Sequence, residues 1–203
     1  MNKNYDIYSF LMIKQYLVID FECMQPNEWQ SVGIVLYEQD AICRQFHTAC
    51  ERNYDTMTVS TREFWNKNSK ACAYNLDFGK GKDCATEEVA ICNFIKELKR
   101  DYPNFHLISD APEYDIGLIN NILVRHGYHS MSHRSRKIYF QTICTWSSKK
   151  TLDMMGIPIQ SDDLVGMSAL IVLPHTPIFD CMRILNEYLC ILATISTYKR
   201  YHK

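Results

Sequence analysis

Runs of apolar residues near the start of the chain mark three closely spaced strands. Short polar segments separate them, and the turn-prone pair Gln39–Asp40 joins the second run to the third. Because the connections are short, these strands are expected to pair as an antiparallel meander. The three runs are YLVIDF (16–21), SVGIVLYE (31–38) and AICRQFHT (41–48).

The remainder of the chain alternates between helical and strand patterns. Thr86 is a suitable N-cap for a helix that Pro103 ends, and Gly127 closes a later helix. This order predicts an α/β fold, in which a mixed β-sheet has an antiparallel meander first, parallel strands afterwards and helices on its faces. The predicted elements are helices near 87–102, 113–127, 163–173 and 177–198 and strands at 105–109 and 137–145.

Length and composition are those of one ordinary globular domain. The chain has 203 residues, of which 47% are hydrophobic and 22% charged. We interpret residues 1–15 as an N-terminal extension and residues 16–203 as a single domain. The net charge is −1, so any binding of a polyanion must depend on local basic patches. No apolar run reaches the roughly 20 residues of a membrane span, and no membrane partner is expected.

Nine cysteines are scattered along the chain without any C-x-x-C motif. Their odd number and their apolar surroundings predict reduced thiols, rather than a disulfide framework. Together with the lack of a clear signal-peptide cleavage site, this favours a cytoplasmic or nuclear protein that is not secreted. Cys43, His47 and Cys50 could in principle hold zinc, but their spacing matches no common structural site, and packing roles are favoured.

Acidic residues recur at three places where strands end or helices begin. Asp20 and Glu22 are two residues apart on the first apolar strand, so both side chains project from the same face. The mid-chain candidates are Asp110, just after a strand, and Asp115, in the first turn of the next helix. Near the end of the chain, Thr176 as N-cap and Pro177 as first helical residue place Asp180 in the opening turn of the last helix, and His175 lies on the loop that leads into it. Acids favour helix N-termini for electrostatic reasons alone, so the combination matters more than any single residue.

The segments VIDFE, YDIGLI and HTPIFD resemble the three motifs of the DEDDh 3′–5′ exonucleases, which have a ribonuclease H-like fold. The resemblance extends from residue 17 to about residue 190. The segment VSTREFWNKNSKAC (59–72) resembles a tryptophan-containing helix of the branch that includes phage exonuclease A and a mycobacterial exoribonuclease. Thr142 departs from that branch, which often has an Asp at this position.

The resemblance implies a site of four metal-binding carboxylates and one general base. The carboxylates are Asp20, Glu22, Asp115 and Asp180, and the base is His175. Asp115 is preferred to Asp110 because the family pattern places an aromatic residue, here Tyr114, directly before the acid; Asp110 is the alternative ligand. Oxygen ligands suit two divalent cations, Mg²⁺ or Mn²⁺, which in such enzymes hold both oxygens of an in-line displacement at phosphorus.

The implied partner is the 3′ end of a single-stranded nucleic acid. Candidates for substrate contacts are Phe21, Trp65, which could stack on a base, and Arg134 and Arg136 in the basic segment RHGYHSMSHRSRK (125–137). The expected activity is metal-dependent 3′–5′ hydrolysis to nucleoside 5′-monophosphates, with RNA slightly favoured. A DNA-directed exonuclease with the same site and a catalytically silent nucleic-acid-binding module are the alternatives. The oligomeric state, including a homodimer, is left open.

Overall fold

A computed structural model describes residues 15–25, 28–103, 105–131, 142–159 and 174–201. Its strands are β1 (Gln15–Gln25), β2 (Glu28–Glu38), β3 (Ala41–Ala49), β4 (His106–Ser109) and β5 (Thr142–Cys144). Its helices are α1 (Val59–Lys67), α2 (Ser69–Gly79), α3 (Cys84–Asp101), α4 (Pro112–Arg125), α5 (Thr145–Met154) and α6 (Pro177–Tyr201), with a short 3₁₀ turn at Tyr54–Thr56.

The strands form one mixed sheet in the order β3-β2-β1-β4-β5. The meander β1-β2-β3 is antiparallel, whereas β4 pairs in parallel with β1, and β5 pairs in parallel with β4. The predicted mixed sheet, antiparallel first and parallel afterwards, is therefore confirmed. Helical crossovers through α3 and α4 supply the long connections that parallel strands require.

The central strand β1 is buried on both faces, and its alternation determines which layer each residue meets. Leu17 and Ile19 belong to a core shared with α3 and α4. Tyr16 and Val18 belong to a second core shared with α6. Because side chains alternate along a strand, Asp20 and Glu22 follow Tyr16 and Val18 onto the α6 side of the sheet.

Three local predictions need correction. Helix α3 is capped by Asp83, whose carboxylate accepts from the Thr86 amide at 2.9 Å, so Thr86 lies inside the first turn. The strand predicted at 137–145 is described only over 142–144, and Thr145 already begins helix α5. The segment 59–72 is divided at Asn68 between α1 and α2. The helix predicted near 163–173 lies outside the described residues.

The expectation that all cysteines are free thiols is wrong for one pair. Cys50, after β3, and Cys84, at the first position of α3, form a disulfide with their Cα atoms 4.9 Å apart. The other seven cysteines are free. The pairing depends on how β3 packs beside the start of α3, because the two residues are 34 positions apart in the chain. In the described parts of the chain, no helix combines the length and apolar character needed to cross a membrane.

Candidate metal-binding active site

The predicted site residues on β1 lie at its carboxyl-terminal half, beneath the start of α6. Asp20 pairs in register with Gly33 of β2, and Glu22 pairs with Ser31. Asp20 is only 8% exposed. A shift in strand register follows directly after Glu22. The two carboxylates are thus held by a buried, paired strand rather than by a solvated turn.

Asp115 reaches the same place from the first turn of α4. Its Oδ1 accepts from the backbone N–H of Phe21 at 3.0 Å, and its Oδ2 accepts a short hydrogen bond from the Ser109 hydroxyl. The Phe21 ring is buried against Trp29. Phe21 therefore contributes its backbone to the site, and its ring contributes to the core.

The segment before α6 brings His175 and Asp180 to β1. Helix α6 begins at Pro177, as predicted. The Thr176 carbonyl accepts from the Asp180 amide at 3.0 Å, whereas the Thr176 hydroxyl has no hydrogen-bond partner within the described residues. His175 has a positive φ of 62°, and its Nδ1 lies 3.6 Å from Oε1 of Glu22.

The acidic residues and the histidine form two groups. Within each group, the potential ligand atoms all lie within 4.8 Å of one another. One group contains Glu22, His175 and Asp180. The other contains Asp20, Asp110 and Asp115. Each of the five residues that the sequence predicts belongs to one of these groups, as does the alternative ligand Asp110, and Asp20 interacts electrostatically with the carboxylates of both groups. The zinc candidate around Cys43 is not among the ligand groups that the described residues form.

Arg183 is a component of the site that sequence reasoning missed. Its guanidinium donates to Asp180 Oδ1 at 3.0 Å, to Asp110 Oδ2 at 3.1 Å and to Glu187 at 3.2 Å. Its spacing of three residues from Asp180 places both on one face of α6, which is a signal available in the sequence. The ion pair with Asp110 joins residues 73 positions apart and depends on the fold.

Burial makes the charged forms of these carboxylates costly. Burial, reinforced by the Glu22 and Asp115 charges, raises the pKa of Asp20 well above its ordinary value. Burial also raises the pKa of Asp115 to about 7, although the hydrogen bonds from Ser109 and Phe21 oppose the shift. The nearby Glu22 carboxylate raises the pKa of His175, because it favours the protonated imidazole. A cluster of this kind is the environment expected of a site that binds cations.

The donor set fits hard divalent cations. The Oδ2 atoms of Asp20 and Asp180 are buried and have no hydrogen-bond partner among the described residues. An unpaired buried carboxylate oxygen is expensive, and a bound cation would remove that cost. Carboxylate oxygens are the ligands that Mg²⁺ and Mn²⁺ prefer.

Of the candidate substrate residues, Trp65 is buried in the core and its neighbour Phe64 is exposed. Trp65 is only 1% exposed, and its indole N–H donates to the Cys23 carbonyl at 3.1 Å. Its neighbour Phe64 is 41% exposed and contacts the His175 ring edge-on, with a centroid separation of 4.9 Å. Phe64, and not Trp65, therefore offers an exposed aromatic ring beside His175. Arg134 and Arg136 lie outside the described residues.

Comparisons with known proteins identify the fold. No protein-family model matches the sequence, and no curated protein matches it. Product-bound exonuclease I matches with a TM-score of 0.56 at 10% identity, over 93% of this chain and 46% of that chain. Exonuclease I of E. coli in complex with a dA16 oligonucleotide matches with a TM-score of 0.57 at 12% identity, over 89% of this chain and 41% of that chain.

A zinc-bound E. coli ExoI–ssDNA complex gives a TM-score of 0.55 at 12% identity, over 91% of this chain and 41% of that chain. The present chain thus spans less than half the length of these exonuclease I chains. These similarities confirm the ribonuclease H-like fold class: a mixed five-stranded sheet flanked by helices.

Proposed function

We propose that this chain is a metal-dependent 3′–5′ exonuclease of the DEDDh type, which hydrolyses single-stranded nucleic acid to nucleoside 5′-monophosphates. One observation supports this most strongly. Residues from three distant parts of the sequence converge at β1, and two of their buried carboxylate oxygens lack a partner among the described residues. A carboxylate-rich group of this kind suits phosphodiester hydrolysis.

The residues would divide the work as follows. Asp20, Glu22, Asp115 and Asp180 would hold two divalent cations, Mg²⁺ or Mn²⁺, and Asp110 is an alternative ligand. Bound there, the cations would stabilise negative charge on the attacking and leaving oxygens.

His175 would act as the general base and accept a proton from the attacking water. It lies at the edge of the site, with 37% of its side chain exposed, where it can approach a substrate. Glu22, whose Oε1 is 3.6 Å from Nδ1, would orient the imidazole ring. Replacing His175 with Ala is expected to lower kcat by about 10²–10⁴-fold, the usual contribution of general base catalysis.

The nucleic-acid strand would be recognised by base stacking and by local positive charge. Phe64 offers an exposed ring beside His175 and is a better candidate than the buried Trp65 for stacking on a terminal base. Arg134 and Arg136 are proposed as phosphate contacts because they belong to the most basic segment of a nearly neutral chain.

RNA is proposed as the preferred polymer, on the resemblance to the branch with phage exonuclease A and the mycobacterial exoribonuclease. DNA is the alternative, because matching exonuclease I structures are complexes with dA16 and dT13 oligonucleotides.

The proposal is tested with 5′-labelled and 3′-labelled RNA and DNA oligonucleotides in Mg²⁺, Mn²⁺ or EDTA. We expect a ladder of shortened 5′-labelled products, immediate release of labelled mononucleotide from the 3′ label, and no reaction in EDTA. Asp180→Asn serves as the inactive control.

Shortening of DNA alone would replace the RNA preference with the DNA-directed alternative. Binding without metal-dependent shortening of either polymer would overturn the enzyme proposal in favour of a silent binding module. Shortening from the 5′ end would overturn the assigned polarity.

A further inference from the structure

Asn75 is a buried polar residue that reaches the site from outside the acidic cluster. It lies on α2 and has no exposed surface. Its side-chain amide donates to the backbone carbonyl of His175 at 2.9 Å, across 100 positions of sequence. Its side-chain carbonyl accepts from the Ser31 hydroxyl at 3.1 Å. Both ends of the amide are therefore used, and one end is bonded directly to the proposed general base.

The position of Asn75 is itself fixed by its surroundings. Gln30, on β2, donates through Nε2 to the Asn75 backbone carbonyl at 3.0 Å and to the Cys50 carbonyl at 2.9 Å. Gln30 and Ser31 are fully buried. Because β2 pairs directly with β1, the same strand supports Asn75 and the carboxylate-bearing strand. Asn75 is thus held in a fixed relation to Glu22.

The backbone of His175 needs such a support. His175 has a positive φ of 62°, a conformation that side-chain-bearing residues adopt uncommonly. Its side chain is 37% exposed, and its ring lies beside Phe64, Trp65 and Glu22. A backbone hydrogen bond from a buried side chain would therefore determine where the ring can point.

We propose that Asn75 is a positioning residue, which holds the His175 backbone so that the imidazole stays beside Glu22 and over the carboxylates. This inference rests on the proposed function for its catalytic consequence. Asn75 is fully buried and belongs to neither ligand group, so it would act through His175 and not by contact with substrate or cations. Its effect should therefore fall on kcat, and not on the affinity for metal or oligonucleotide.

The test compares Asn75→Ala and the isosteric Asn75→Asp with Ser31→Ala. Asn75→Asp keeps an acceptor for the Ser31 hydroxyl but removes the donor to His175. Ser31→Ala removes a buried hydrogen bond of the same network but keeps the Asn75 amide group that donates to His175. It therefore controls for general loosening of the core.

We expect both Asn75 variants to lower kcat by about 10- to 100-fold, since misplacement of a catalytic group by 1 Å can cost about 10²-fold. The KM for oligonucleotide and the Mn²⁺ concentration for half-maximal rate should change less than about twofold, as for a loss confined to the catalytic step. Ser31→Ala should stay within about threefold of wild type. In a His175→Ala background, Asn75→Ala should lower kcat hardly any further, because the imidazole that Asn75 positions is absent.

Retention of wild-type kcat by both Asn75 variants would overturn the proposal. An equal loss in Ser31→Ala, or an undiminished loss in the His175→Ala background, would overturn it as well. Hydrogen–deuterium exchange of peptides covering residues 174–183 provides a readout without turnover. Faster exchange in Asn75→Ala than in Ser31→Ala is expected, and equal exchange would contradict the holding role even if wild type proved not to be a nuclease.

Discussion

Replacement of Gly33 with alanine is expected to disturb the site without touching any carboxylate. Gly33 lies opposite Asp20 in the β1-β2 register, directly under the first turn of α6. A Cβ atom at this position would lie 2.4 Å from the Pro177 carbonyl carbon and 2.6 Å from the Ile178 nitrogen. These are backbone atoms, so no side-chain rotation can relieve the overlap. Glycine is therefore required here by the close approach of helix and strand.

The size of the effect follows from these distances. Ordinary contact with a Cβ begins near 3.4 Å, so the start of α6 must move by about 1 Å. Overpacking of this kind usually costs about 1–3 kcal/mol of stability. The displacement also carries His175 and Asp180 away from β1. A shift of about 1 Å in catalytic groups can reduce kcat by about 10²-fold, which corresponds to about 2.7 kcal/mol in the activation barrier.

The assay is initial-rate cleavage of a 5′-labelled oligonucleotide in Mn²⁺, with urea unfolding of the same preparations. Gly117→Ala is the matched control, because Gly117 lies within α4 and a Cβ there meets no atom within 4 Å. It should leave the rate unchanged and stabilise the protein by about 0.5–1 kcal/mol, through better helix propensity. A folded Gly33→Ala protein with wild-type activity would show that the packing of α6 on β2 does not position the site.

Three further predictions concern the proposed metal site, the disulfide and acid stability. In EDTA at pH 7, Asp20→Asn should unfold at a higher temperature than wild type, because a neutral amide avoids the cost of a buried charge. Mn²⁺ at 100 times its Kd should stabilise wild type by about 2.7 kcal/mol and should stabilise the variant much less. Thermal unfolding with and without metal measures both, and an equal Mn²⁺ effect on the two proteins would contradict the assignment. Cys84→Ser should lower the free energy of unfolding, measured in urea, by about 2–4 kcal/mol, because it removes the disulfide to Cys50. Dithiothreitol should lower the stability of wild type and leave that of the variant unchanged. Burial lowers the pKa of His47 to about 4, so the contribution of neutral His47 to the free energy of unfolding is complete above about pH 6.5 and is lost as the pH falls toward 4. His47→Phe keeps a ring against Phe78 and should make the urea midpoint depend less on pH over that range. Parallel pH profiles for the two proteins would refute the prediction.

Local sequence pattern was sufficient to predict most of the fold. The period-2 alternation of β1 placed Asp20 and Glu22 on one face, and the Thr-Pro pair marked where α6 begins. These features depend on neighbours within a few residues, so they can be read without the fold. The prediction of Thr86 as the helix cap was wrong, because Asp83, three positions earlier, is an equally good capping residue and occupies the cap position.

Other features were decided only when distant segments packed together. Asn75 and His175 are 100 positions apart, the disulfide spans 34 positions, and the ion pair of Arg183 with Asp110 spans 73. Whether such residues meet depends on the path of the chain across the sheet, which local propensity and periodicity do not encode. The sequence by itself therefore determined which residues could form a cation site. The tertiary structure decided which of them meet and what holds the histidine in place, because long-range contacts arise only from packing.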